Sequence, residues 1–349
     1  MTHKGMSSIV LAALATVTLV ASRAPAQEKP VEVPKVEGNI ADRTIDDLVK
    51  SLSTDSTERR IAEMELPRRG KAAIPGLVLC LRASENSDEA RLASVHCLGK
   101  IKDPSAAPAL VEVYKNPGAP LKLRGEAALA LGDIEAASAI PDLIEGLANP
   151  MFKVSETART ALTEIGQPAV DPVVAAFARE MAVPEPRAKA KDQEKEAYLA
   201  RDGMVCRCIL VLGKIGGPKA RAAICDALKT QKGSRAIAIR HHAAIALGFL
   251  RADEKDKDYR NAVEPLIKAF EVERDFSVGN TIQRSLVFLT DQTDLGNQPY
   301  RWRAWWNVNG DRFLGADERE HANIELPKGG LKPGDSLEEP KSPSTDPPK

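Results

Sequence analysis

Apolar residues recur at i, i+3, i+4 and i+7 in six stretches of the chain. These are Ile74/Leu77/Val78/Leu81, Ala107/Leu110/Val111/Tyr114, Ile140/Leu143/Ile144/Leu147, Val170/Val173/Val174/Phe177, Ala220/Ala223/Ile224/Ala227 and Val263/Leu266/Ile267/Phe270. That spacing gathers four side chains on one stripe of an α-helix, so it predicts six half-buried helices. Each stripe follows a Leu, usually one that precedes Gly, by about eight to sixteen residues, which leaves room for a partner helix and a turn before it. The first three stripes start 33 residues apart and the fourth follows after 30. A lone helical pair cannot bury such a stripe and must stack on a neighbour. The pattern therefore predicts an all-α protein, a right-handed α-solenoid of about seven helix–turn–helix units.

The clearest unit runs from Leu123 to Leu147. Its first helix is expected to bury Ala127, Ala128 and Leu131, Gly132 to end or sharpen the turn, and Ile134 to plug the gap. Pro141 then falls in the first turn of the second helix, where a missing N–H costs nothing. Pro75 and Pro108 share that register, and Pro172 and Pro265 lie one residue later. The segments ALALGDIEAASAIPDLIEGL and CLGKIKDPSAAPALVEVY resemble HEAT repeats, in the short form first described in phycobilisome lyases. The resemblance covers about residues 55–307. The closing stretch RSLVFLTDQTDLGNQPYRWRAWW is similar to the end of exported bacterial HEAT-repeat proteins. What the resemblance implies is a fold and a binding scaffold; it names no chemistry.

The ends and the interruptions set the domain plan. Residues 1–26 read as a secretory signal peptide: His3 and Lys4, an apolar run from Ile9 to Ala21, and Ala24-Pro25-Ala26 as a cleavage site. The run is too short to span a bilayer comfortably, so no membrane insertion is expected after cleavage, and the chain is expected in the periplasm or secreted. Residues 27–40 form a linker, 41–326 the solenoid with a Trp-rich cap, and 327–349 a Pro-rich tail expected to stay disordered. The period widens to 50 residues where 181–200 is inserted and to 43 where 251–259 is inserted. Insertions in solenoids project from one edge, so these two are read either as solvated extensions or as places that set specificity.

Charge excludes more than it suggests. The 49 basic residues balance 49 acidic ones, which argues against nucleic acid as a partner. Five cysteines is an odd number for an exported chain; Cys80, Cys97, Cys206, Cys208 and Cys225 all fall in expected helices and read as small buried hydrophobes. Cys206 and Cys208 diverge on one helix and cannot pair, whereas a Cys80–Cys97 disulfide stays open. Deoxyhypusine hydroxylases are HEAT-repeat enzymes with a di-iron site built from His-Glu pairs, but no His-Glu dipeptide occurs here and His96, His241 and His321 do not recur in register. With no phosphate loop, nucleophile elbow or zinc helix either, no catalytic residue, cofactor or metal is expected, and the chain is read as non-enzymatic and monomeric.

What remains is a binding surface for a protein partner. Exposed positions of the second helices, Glu112, Lys115, Asp142, Glu145, Lys268 and Glu271, are expected to line a groove. Arg59, Arg91, Arg124 and Arg240 stand seven residues before Leu66, Leu98, Leu131 and Leu247, a ladder broken by Ser155 and Val205. It reads either as a row of guanidinium forks for a partner or as glue between repeats, each stem packed on the next unit and each head paired with an acid near the preceding turn. Tyr300, Trp302, Trp305 and Trp306 form either a cap over the last open repeat or an aromatic platform. The platform, or the Pro-rich tail, would suit a second function: an envelope protein that binds cell-wall polymer.

Overall fold

The computed structural model describes residues 40–54, 56–186, 190–231, 235–250, 260–310 and 313. The signal segment 1–26, insertion 251–259, tail 327–349, nearly all of linker 27–40 and part of insertion 181–200 therefore lie outside the described residues. Two compact units are present, Met1–Thr44 and Ile45–Lys349. In the first, the described part is a single 3-10 turn, Ile40–Asp42, with two residues after it. The second is all helix among the described residues.

A short helix α1 (Ile45–Ser51) precedes seven helical pairs. The pairs are α2 (Ser56–Arg69) with α3 (Ile74–Arg82), α4 (Asp88–Ile101) with α5 (Ala107–Lys115), α6 (Leu121–Asp133) with α7 (Ile140–Gly146), and α8 (Phe152–Ile165) with α9 (Val170–Met181). Then come α10 (Asp192–Ile215) with α11 (Pro218–Leu228), α12 (Ala236–Phe249) with α13 (Arg260–Val272), and α14 (Phe276–Thr290) with α15 (Pro299–Asn309). This is the expected α-solenoid of seven units. The stripe residues Leu77, Leu81, Leu110, Leu143, Leu147, Val173, Ile224, Val263 and Leu266 are all fully buried. Each such side chain contributes about 1.5–3 kcal/mol by leaving water.

First helices pack on the first helices of the next repeat: α4 on α6, α6 on α8, α10 on α12, α12 on α14. The Leu-Gly dipeptide explains how. A Cβ added at Gly132 would meet the Ala161 Cα at 2.9 Å, and one at Gly213 would meet the Ala246 Cβ at 2.6 Å. These glycines let two helix backbones touch. Gly132 thus lies inside α6, not at its turn as expected; the turn residue in left-handed conformation is Glu135, with φ 49°. Pro75, Pro108 and Pro141 do open α3, α5 and α7. Pro265 does not open its helix: α13 begins at Arg260, so the proline sits in its interior.

The arginine ladder is glue, its shared partner a helix-end carbonyl rather than an acid, though Arg91 also meets Asp88 near the preceding turn (3.7 Å). Arg59 Nε donates to the Leu52 carbonyl (3.0 Å), Arg91 Nε to Leu81 (3.1 Å), Arg124 Nε to Tyr114 (3.0 Å) and an Arg240 Nη to Thr230 (2.8 Å). Each acceptor lies at the end of the preceding helix, where carbonyls lack an intrahelical donor and a cation suits the dipole. Where Ser155 and Val205 break the ladder, an arginine from further along fills the place. Arg207 reaches back 60 residues to the Leu147 carbonyl (2.6 Å), and Arg235 reaches back 55 to Glu180 (3.2 Å).

Three buried side-chain polar atoms lack a hydrogen-bond partner among the described residues: the Tyr114 hydroxyl, Asp202 Oδ1 and Arg235 Nη1. The Tyr114 hydroxyl is buried without a hydrogen-bond partner and rests against Gly146, where no Cβ stands in its way. An unsatisfied buried hydroxyl costs about 1–3 kcal/mol. Tyr114→Phe keeps the ring and removes that cost, so the urea midpoint should rise by an amount equivalent to about 1 kcal/mol. A fall would mean that the hydroxyl is bonded.

Candidate functional site

Second helices present their exposed residues on one face, and there charges join consecutive repeats. Arg82 pairs with Glu112 (2.8 Å), and Lys115 with Asp142 (2.6 Å) and Glu145 (3.8 Å). Further on, Lys219 pairs with Asp171 (2.8 Å), and Arg303 clasps both Glu264 (3.0 Å) and Glu271 (2.8 Å). Lys268 reaches Glu264 within its own helix (3.2 Å). The six groove residues expected from register are therefore tied into ion pairs, five of them across repeats. The Asp142 carboxylate raises the Lys115 pKa, and the Glu271 carboxylate does the same for Arg303. Such solvent-screened pairs add little stability and serve more to set the register of neighbouring repeats.

Between α7 and α9, among the described residues, the series has no ion pair. A groove of about 800 Å³ opens there instead. One wall is Pro141, Ile144, Glu145 and Ala148, the other Pro172, Ala175, Ala176, Arg179 and Glu180, each set spaced along a single helix face. Arg201 and Met204 of α10 close the end. The volume lies in the range of ligand-binding pockets, which combine apolar walls with a few converging polar groups. Here the polar group is Glu180, whose side chain is 7 % exposed. Arg201 donates to its Oε2 (2.8 Å) and Arg179 to its Oε1 (3.2 Å), and both guanidinium groups keep an exposed side.

Insertion 181–200 is what places Arg201. It lengthens α10 to 24 residues, so the helix starts well before the position where other first helices begin. Behind it, Arg235 stacks on the Tyr198 ring (4.4 Å) and pairs with Asp202 (3.4 Å), whose pKa burial raises. Of the expected site residues only Glu145 lies in this groove. Sequence reasoning passed over Arg179, Glu180 and Arg201, although one signal was present: Glu180 continues the Val170/Val173/Phe177 stripe one step further with a charge.

The aromatic residues do something else. Trp302 is fully buried, its indole N–H donating to the Gly296 carbonyl (2.8 Å), and Trp306 is 9 % exposed. Trp305 and Phe313 complete the cluster with edge contacts of 5.6 to 6.4 Å. These rings cap the last repeat; Tyr300 is open to solvent and Trp305 is partly buried. Trp302 and Trp306, expected among the partner-facing residues, therefore offer little or no surface. The five cysteines are free thiols with Cys80 unbonded to Cys97, and burial pushes Cys97, Cys206 and Cys208 up to about 12. Among the described residues no group of three or more His, Cys, Asp or Glu could hold a metal ion, and no helix is long and apolar enough to cross a membrane.

His241 and His242 sit side by side on α12, bonded to Thr281 Oγ1 (3.1 Å) and the Ala238 carbonyl (2.8 Å). Burial lowers both pKa values below the ordinary 6.5. The unfolded chain then binds protons first as pH falls. Their contribution to stability is complete above pH 6.5 and is lost as pH falls through the lowered values. Urea midpoints should therefore drop between pH 7.5 and 5.5, and the double substitution His241→Asn, His242→Asn should flatten that drop. An unchanged slope would contradict the assignment.

Comparison with known proteins adds one family-model match and one correction. A family model described as "PBS lyase HEAT-like repeat" matches residues 123–149, which span most of α6 and all of α7. Human deoxyhypusine hydroxylase is 27% identical over 191 residues, which cover 51% of this chain and 60% of that protein. The chain thus matches somewhat under two thirds of that curated relative's length. The solved structure of human deoxyhypusine hydroxylase with glycerol aligns with a TM-score of 0.32 at 19% identity, covering 70% of this chain and 95% of that one. The CpcE–CpcF complex of phycocyanin lyase from Nostoc sp. aligns with a TM-score of 0.35 at 18% identity, covering 75% and 99%. The expectation of a non-enzymatic protein is overturned here, because the curated relative that the chain matches is an enzyme.

Proposed function

Since this chain is built of HEAT-like repeats, we propose that it works as a scaffold that binds another protein, with the groove between α7 and α9 as the seat. The observation that carries this reading is the open groove at a gap in the series of ion pairs. Charges of neighbouring second helices answer one another from α3 to α7, from α9 to α11 and from α13 to α15. At α7 and α9 they do not, and apolar walls with two half-free arginines stand open. Repeat scaffolds bind through such faces because each repeat adds a similar strip to an extended surface. The apolar run from Ile9 to Ala21 supports export, so the partner is to be sought in the cell envelope.

Ala175 is exposed on the groove wall, and a large side chain there fills the space without altering charge. The test is affinity capture from an envelope fraction with the full chain and with Ala175→Trp. A specific protein should be retained by the former and reduced about tenfold by the latter, a loss of about 1.4 kcal/mol of binding. Equal capture of every protein by the two forms, at unchanged melting temperature, would rule the groove out as the seat.

A further inference from the structure

We infer that the groove takes an extended segment of the partner in which an Asp or Glu side chain adjoins two or three apolar residues. This rests on the groove being the binding surface and adds the chemistry that it recognises. The walls run from Pro141 to Ala148 and from Pro172 to Glu180. Seven residues of helix span about 10 Å at 1.5 Å per residue. An extended chain rises about 3.3 Å per residue, so three to four residues fit along that length.

The ends of the groove differ in character. Toward the helix N-termini it is lined by Pro141, Ile144, Pro172 and Ala175, with no charge among these four. Toward the C-termini stand Arg179, Glu180 and Arg201. Glu180 uses one donor from each arginine and leaves the cluster with a net charge of +1. A guanidinium carries five N–H donors, so each arginine keeps four beyond the one given to Glu180. The buried carboxylate holds both planar groups in place, and a carboxylate, like a phosphate, matches such a group two bonds at a time. Arg179 and Arg201 side chains are 68% and 46% exposed, which leaves them on the rim, so a chain can continue past them into solvent. That favours a side-chain carboxylate within a segment over a chain terminus. Glu145, beside Ile144 on the opposite wall, adds a negative charge whose partner is Lys115 at 3.8 Å.

Labelled, acetylated and amidated octapeptides test the inference on the full chain by fluorescence anisotropy. One pair carries Glu directly before or after Leu-Val-Leu; matched pairs carry Gln or Lys instead. A further peptide ends in Leu-Val-Leu with a free carboxylate. The Glu peptides should bind at least about tenfold more tightly than the Gln peptides. The triple substitution Arg179→Gln, Glu180→Gln, Arg201→Gln should erase that difference; it leaves no buried carboxylate unpaired, and its circular dichroism is checked against the parent. Ala175→Trp should weaken Glu and Gln peptides alike. The inference is overturned if no peptide binds, if Glu and Gln bind equally, if their difference survives the triple substitution, or if the free-carboxylate peptide alone binds. Any of these alongside a partner still lost on Ala175→Trp removes the acidic segment and leaves the seat standing.

Discussion

Arg240→Ala is expected to destabilise the protein by about 3–5 kcal/mol, the cost of leaving a buried charge without its partner. The Arg240 and Glu273 side chains are 8% and 4% exposed, and the pair is bidentate, at 2.6 and 3.0 Å. A third donor of Arg240 serves the Thr230 carbonyl at 2.8 Å, and Glu273 Oε1 also accepts the backbone N–H groups of Arg274 and Asp275. Burial alone would raise the Glu273 pKa; the bonds from Arg240 and the backbone outweigh it and hold the pKa below its usual value. The network ties α12 to the turn between α13 and α14, so its loss should loosen the last two repeats together. Urea unfolding followed by circular dichroism measures the cost, and Arg240→Ala with Glu273→Gln should recover part of it. A loss under about 1 kcal/mol would place the pair among ordinary exposed bridges.

Trp302→Ala should cost a similar amount, about 3–5 kcal/mol, because it empties the largest fully buried position in the protein. Among the described residues no further repeat packs on the last one, and its rings perform the covering that such a repeat would give. All three tryptophans of the chain lie in α15, which makes intrinsic fluorescence a probe of that repeat alone. In Trp302→Ala the remaining fluorescence should change at lower urea than the circular dichroism of the whole chain. Coincident transitions would show that the end repeat is not a separate unit.

How far the sequence could be read follows from the range of each interaction. Apolar spacing is local, so Leu77, Leu110, Leu143 and Val173 marked their buried helix faces directly. Leu-Gly marked backbone approach, though the sequence reading placed that glycine in the turn because glycine is common there. The arginine ladder could be seen, but its acceptors could not: a carbonyl at a helix end has no residue signature. Arg207 and Arg235 were beyond reach altogether, since they fill gaps in the ladder across 60 and 55 residues. The groove depends on the same kind of long-range placement. Insertion 181–200 was singled out as an interruption of the period, yet only the fold shows that its helix brings Arg201 over Glu180. Trp302 could be read in two ways because a cap and a platform use the same residues; burial separates them.

The central claim is that the partner lies against the α7–α9 groove. A photo-reactive benzoylphenylalanine at Ala175, in the full chain expressed in its own cells, tests it most directly. The same group at Lys100, exposed on a first helix, is the control. The account predicts one dominant cross-linked protein from position 175, with the attachment mapped by mass spectrometry, and none in common from position 100. The same cross-links from both positions, or none from 175 while 100 captures a protein, would contradict it.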